Sequence, residues 1–202
     1  MHSTLTHHFT TMAYNNAWSN HRLLKACAQL SQPDFVATRV SFFPSIKATL
    51  NHIVTVDWLY IDALERALQA REPNRDPNRL FEPEEPFDTC IEIIAAQRDA
   101  DRRLIAACAA LRDDQLDLAV PIMRATGLER ESATRLLAHL FQHQIHHRGQ
   151  AHAMLAATPV KPPQLDEFFC ANEASLRAGD LAELGYSETM IWGASPSTHA
   201  DR

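Results

Sequence analysis

Glycine is scarce in this chain, five residues in 202, and alternating β-branched stretches are thin, whereas Ala and Leu are abundant. That balance excludes a turn-rich β architecture and predicts an all-α domain. No Lys/Arg cluster of the kind that neutralises phosphates occurs, and the net charge is −6, so no nucleic-acid partner is expected. No stretch approaches the roughly 18 apolar residues of a membrane span. The start, MHSTLTHHFTTMAYNN, lacks a basic region followed by an apolar core, so no membrane association and a cytoplasmic location are expected. The four cysteines, Cys27, Cys90, Cys108 and Cys170, form no CxxC pair, which argues against a disulfide framework or a cysteine-closed zinc site and predicts reduced, mostly buried thiols. The chain reads as one domain over residues 1–202, with a bundle at about 6–157 and a C-terminal extension at 158–202.

What is present is helical periodicity. Tyr14, Ala17, His21, Leu24 and Ala28 keep one face over about Thr6–Leu30, which Ser31, Gln32 and Pro33 then break. A linker with Phe42, Phe43 and Pro44 leads to Ser45, the entrance to a second helix reaching about Ala70 on a stripe of Thr49, His52, Val56, Leu59, Tyr60 and Ala63. The proline-rich, charged segment REPNRDPNRLFEPEEPF predicts a long loop, able to cross between non-adjacent helices. Asp88 is the expected N-cap of a third helix with Cys90, Ile93, Gln97, Leu104 and Cys108 on one side. Asp101 lies on the same side, where an ion pair with Arg98 or Arg102 is the expectation. Residues 113–125 read as irregular, with an extended piece near 116–122. Thr126 and Glu129 have the form of a capping box, so a fourth helix starts somewhere in 127–133 and runs to about Ala157. The stretch after LDEFF can be helical up to Gly179–Gly185, and SPSTHADR is expected to fray.

Five of the 11 histidines fall in HLFQHQIHHRGQAH, residues 139–152. His143 and His147 are spaced i, i+4, which on a helix puts two imidazoles about 6 Å apart on one face. Taking His143 as origin, Leu136 and Met154 fall at about 20°, His147 at about 40° and Leu140 at about 60° on the helical wheel. Both histidines therefore point into the apolar stripe. His139 and His146 sit at its edge, and His152 falls on the far side. His52 points into the stripe of the second helix by the same reckoning. A lone buried imidazole is ordinarily a hydrogen-bonded core residue, but three on helices that pack stripe to stripe are hard to satisfy without an ion. His2, His7 and His8 read as solvent-exposed, and His21 as either a packed residue or an acid–base group.

Other metal classes are excluded by the letters. An HExxH protease needs Glu after the first histidine, where Gln144 stands, and no histidine has Glu three positions before it as di-iron bundles require. His52 on SIKATLNHIVTVD, the segment YNNAWSNHRLL from Tyr14 to Leu24, and HxxxHRGQ at His143–Gln150 together resemble the DinB/YfiT-like family of metal-dependent proteins over most of the chain. The resemblance implies an up-down-down-up four-helix bundle, frequently homodimeric, that holds a divalent ion by His52, His143 and His147. Arg148, Gly149 and Gln150 match the family signature and are assigned structural or supporting roles.

Members of that family with assigned activity bind a low-molecular-weight thiol at the ion. The resemblance thus implies a transferase that adds or transfers a thiol to a small electrophile, using the ion to make the thiolate. Two alternatives stay open: a non-catalytic helical dimer whose ion is structural or sensory, and a metal-dependent hydrolase. Zinc, nickel and iron all suit imidazole ligands, and the letters do not choose among them.

Overall fold

The computed structural model describes residues 4–124 and 126–193. In chain order the elements are helices α1 (Leu5–Cys27), α2 (Gln32–Val36), α3 (Ile46–Leu68) and α4 (Cys90–Ala110), strands β1 (Ala119–Arg124) and β2 (Gly127–Ser132), then α5 (Ala133–Leu155), α6 (Ala174–Leu184) and α7 (Glu188–Trp192). The four long helices form the bundle.

Side-chain pairs fix their directions. Asp57 meets Gln97 and Glu65 meets Arg103, so α3 and α4 run parallel. Asn20 meets Asp101 while Cys90 reaches back to Leu24, so α1 and α4 are antiparallel. His52 meets His147 and Tyr60 meets His139, so α3 and α5 are antiparallel, whereas Phe9 against Phe141 and Asn20 against Arg148 make α1 and α5 parallel. The order is up-down-down-up, and the long connection at 69–89 is what allows two consecutive helices to run the same way. Among the described residues no helix is long and apolar enough to cross a membrane.

Local chemistry sets the helix ends. Ser45 caps α3 by accepting the Ala48 N–H, as its position predicts. At α4 the expected cap, Asp88, is displaced by one residue. Thr89 and Glu92 complete a reciprocal capping box, and Asp88 instead accepts from Lys47 at 2.8 Å. Ser31 and Pro33 do not simply end α1: Ser31 caps the short α2, and Pro33 sits in its first turn, where a missing N–H costs nothing. Gly185 closes α6 in the left-handed conformation, φ 75°.

The larger departure is the hairpin. Thr126 and Glu129 do bond side chain to side chain, at 2.7 Å, but at the tip of a β-ladder that closes on the Arg124–Gly127 pair. Helix α5 begins only at Ala133, capped by Ser132. Strand β1 buries Val120 and Ile122 in alternation, but β2 is largely exposed and carries no period-2 pattern, so half of the hairpin leaves no hydrophobic signature.

The bundle core comes in two apolar clusters. One packs Phe9, Leu59, Leu64, Leu104, Val120, Leu137 and Phe141, and the other packs Leu23, Phe35, Ile46, Ile53, Ile93 and Leu155. Between them, at mid-height on every long helix, lie buried polar residues: Asn16 and Asn20, Asp57, Gln97 and Asp101, Gln144 and Arg148. Trp18 and Tyr14 form a third cluster with Phe168, Leu181 and Ile191, which docks the C-terminal segment onto the outside of α1.

Candidate metal centre

α5 turns Leu136, Leu137, Leu140 and Met154 into the core, and the same stripe carries His143 and His147 inward. α3 brings His52 to meet them. The ring nitrogens of the three residues lie within 4.8 Å of one another, and the Nε2 atoms of His52 and His143 are 3.0 Å apart. The cluster can hold a metal ion. Nitrogens this close either share one proton or turn their lone pairs on a single cation.

Electrostatics leaves lone pairs available for the second arrangement. Burial, reinforced by the neighbouring imidazoles, pushes His143 down to about 3, and burial with His147 nearby pushes His52 down to about 4. His147 is lowered too, chiefly by burial. All three are neutral at pH 7 and have lone pairs to give, which is the state a ligand imidazole needs. Among the described residues no carboxylate or thiolate completes the cluster, so an ion held here keeps open coordination positions, unlike a closed structural zinc site.

Gln150 was assigned only a supporting role by resemblance, and its contact is specific. Its Oε1 accepts from His147 Nδ1 at 2.8 Å, while its Nε2 donates to His146 at 3.1 Å. The first bond fixes the His147 tautomer and leaves Nε2 free for a ligand role. Gln150→Ala is therefore expected to weaken metal binding about 10–100-fold without unfolding the protein. Competitive chelator titration measures this. His143 differs, since its Nδ1 is buried with no hydrogen-bond partner among the described residues.

Two further features escape sequence reasoning. The loop before α3 lays the Phe43 ring 4.3 Å from His52 and 5.5 Å from His147, with Phe42, 77% exposed, stacked edge-on against it. On the opposite flank Arg124 donates to the Tyr60 hydroxyl at 3.0 Å, and Tyr60 packs on His139. Aromatic residues in a linker have no periodicity to betray them, and Arg124 belongs to the hairpin that the sequence hides.

The other histidines separate cleanly. His139 and His146 are exposed at the rim. His152 faces away and donates to the Pro163 carbonyl at 2.8 Å. His8 is exposed, His7 is half-buried rather than open to solvent, and His2 lies outside the described residues. His21 is a packed, paired residue: it faces Glu183 at 3.0 Å and its Nδ1 faces Arg98 at 3.4 Å.

Asp101 corrects an expectation. It pairs with neither Arg98 nor Arg102. Its Oδ1 accepts from Asn20 at 2.9 Å and from Asn16 and Gln97 at 3.2 Å each. Gln97 also donates to Asp57 at 2.7 Å, Gln144 donates to the same Asp57 oxygen, and Arg148 donates to Asn16, Asn20 and Gln144. Burial pushes Asp57 up to about 6 and Asp101 up to about 7, and pulls the Arg148 guanidinium down to about 10. Arg148 thus acts in the polar layer rather than beside the histidines.

The sign of the resulting pH dependence follows. Between about pH 4, where an unfolded Asp titrates, and about 7, folded Asp101 keeps a proton that the unfolded chain releases. Its contribution to stability therefore falls as pH rises through that window. The stability of Asp101→Asn relative to the wild type is expected to rise from pH 4 to 7 and to level off above. Urea denaturation of both proteins across that range checks it.

An up-down-down-up bundle with a three-histidine cluster that can hold a metal ion defines a class of helical protein. The sequence profile of the DinB family matches residues 1–178, and the chain belongs to the DinB family. It is similar to "Protein DinB" of Bacillus subtilis (strain 168), at 25% identity over 146 residues, covering 69% of this chain and 80% of that protein.

Proposed function

We propose that His52, His143 and His147 hold a divalent ion and that the protein is a metal-dependent enzyme adding or transferring a low-molecular-weight thiol to a small electrophile. The observation that carries this reading is the convergence of three neutral imidazoles from two helices with no fourth protein ligand among the described residues. When bound, the ion lowers the pKa of a coordinated thiol so that the thiolate is available at neutral pH.

The chain supplies the rest. His147, held by Gln150, keeps its Nε2 aimed at the cluster. Phe43 shields the rings of His52 and His147 from water on one side and offers an apolar face to the carbon skeleton of an acceptor. Tyr60, packed on His139 and bonded through its hydroxyl to Arg124, lines the other flank.

The test uses the cobalt-substituted protein. A shift of its visible bands on adding thiol, with metal-dependent turnover of epoxide, halide or quinone acceptors that is lost in His147→Ala, is the expected result. Activity that survives removal of the metal overturns the reading.

A further inference from the structure

Away from the three-histidine cluster, α1, α4 and α6 line a cavity of about 200 Å³. Its apolar wall is built from Ala17, Leu24, Ala28, Ile94 and Leu184, and His21, Lys25, Arg98, Asp101 and Glu183 supply its polar groups. A second cavity of about 170 Å³ shares Ala17, Arg98, Asp101 and Leu184 with the first. The volume suits a ligand well below drug size.

Most charged groups around the cavity are already matched. Lys25 pairs with Glu183 at 2.6 Å, Arg22 with Asp180 at 2.6 Å, and His21 faces Glu183 at 3.0 Å. Because each of those carboxylates is held by a cation, the His21, Asp180 and Glu183 group is a poor host for a metal ion.

Two groups are not matched. Asp101 is only 5% exposed yet lines both cavities, and while its Oδ1 accepts three hydrogen bonds, its Oδ2 has no partner among the described residues. Arg98 lines both cavities as well, and its guanidinium has no carboxylate partner among the described residues, only the contact to His21 Nδ1. The two stand three positions apart on α4, one turn of the same face. They form no ion pair with each other.

From this we infer that the cavity binds a small zwitterion of the α-amino acid class with an apolar side chain. Its ammonium is taken by Asp101 Oδ2, its carboxylate by Arg98, and its side chain by the apolar walls. A ligand bearing only a carboxylate sets that charge beside Asp101 without compensation. One bearing only an amine sets its charge beside Arg98. The zwitterion satisfies both, and charge-assisted hydrogen bonds give each contact its selectivity, the one to Asp101 being the more buried.

Calorimetric titration of the full chain at about pH 8, above the value of about 7 to which burial raises Asp101 so that its carboxyl is ionised, with L-leucine, isoamylamine and isocaproate tests this. Leucine is expected to bind in the millimolar range or tighter, and each singly charged analogue about tenfold more weakly or worse. Arg98→Gln, a change at an exposed position, is expected to weaken leucine about tenfold while leaving isoamylamine no weaker. Leu184→Trp, which fills the cavity, is expected to abolish leucine binding. His147→Ala is expected to bind leucine as the wild type does, so the cavity and the metal centre stand or fall separately. No binding of leucine, equal binding of either analogue, or an Arg98→Gln variant with unchanged leucine affinity overturns the inference.

Discussion

Substituting alanine for His143 is expected to remove the metal from the purified protein altogether and thiol-dependent turnover with it. The three rings form a near-equilateral triangle, His143 lying 5.0 Å from His52 and 4.4 Å from His147, which are 4.7 Å from each other. Losing it leaves two imidazoles on different helices, which is too few to retain an ion against competing buffer ligands. The expected fall in affinity exceeds the about 10–100-fold that follows loss of an outer hydrogen-bond partner. The variant should still fold. Removing a half-buried imidazole whose Nδ1 has no partner relieves a polar group held from water, so the melting temperature of the metal-free variant should match or exceed that of the metal-free wild type. Elemental analysis and a melting curve together decide it.

Arg148→Met is expected to have the opposite signature, with a large loss of stability. Arg148 is buried to 5% exposure, donates to three amide oxygens and faces two carboxyls that burial already holds high. Breaking such a buried charge arrangement costs about 3–5 kcal/mol. For a chain of this size that lowers the melting temperature by roughly 10 °C. The loss should be smaller at pH 5, where Asp57 and Asp101 are both protonated and no longer need the cation. Adding Asp57→Asn and Asp101→Asn to Arg148→Met should recover part of it at pH 7. A single-variant loss that ignores pH would show that packing, not charge, is at stake.

The sequence exposes the bundle and the three histidines for one reason: both depend on helical periodicity, which a single chain displays directly. His143, His147 and His52 are recognisable because they occupy stripe positions otherwise filled by Leu, Val and Ala. The polar layer occupies the same stripes, yet its partners cannot be assigned by pattern. Asp101 is one helical turn from Arg98 and next to Arg102, and the spacing to Arg98 suggests an ion pair. The structure instead rotates its carboxyl inward to Asn16 and Asn20 on α1, a tertiary choice that follows from how α1 and α4 cross. The hairpin is hidden because β2 is exposed on both faces, and the aromatic shield at Phe42 and Phe43 because a loop has no period. Position within a helix is local information, whereas hydrogen-bond partnership and loop placement are properties of the closed bundle.

The distance along the chain between the ligands has a kinetic consequence. His52 and His143 are 91 residues apart, and the long loop and the hairpin both intervene. Local helix formation can bring His143 and His147 onto one face, but His52 joins them only when α5 docks against α3. Long-range closure of this sort is slow compared with helix formation. Coordination by all three histidines would therefore report the docking of the last long helix, and the colour change of cobalt uptake during refolding is expected to serve as an optical clock for bundle closure. An ion bound only by the docked state also pulls that equilibrium toward the folded chain, so the half-life of the protein against proteolysis should lengthen with free metal concentration.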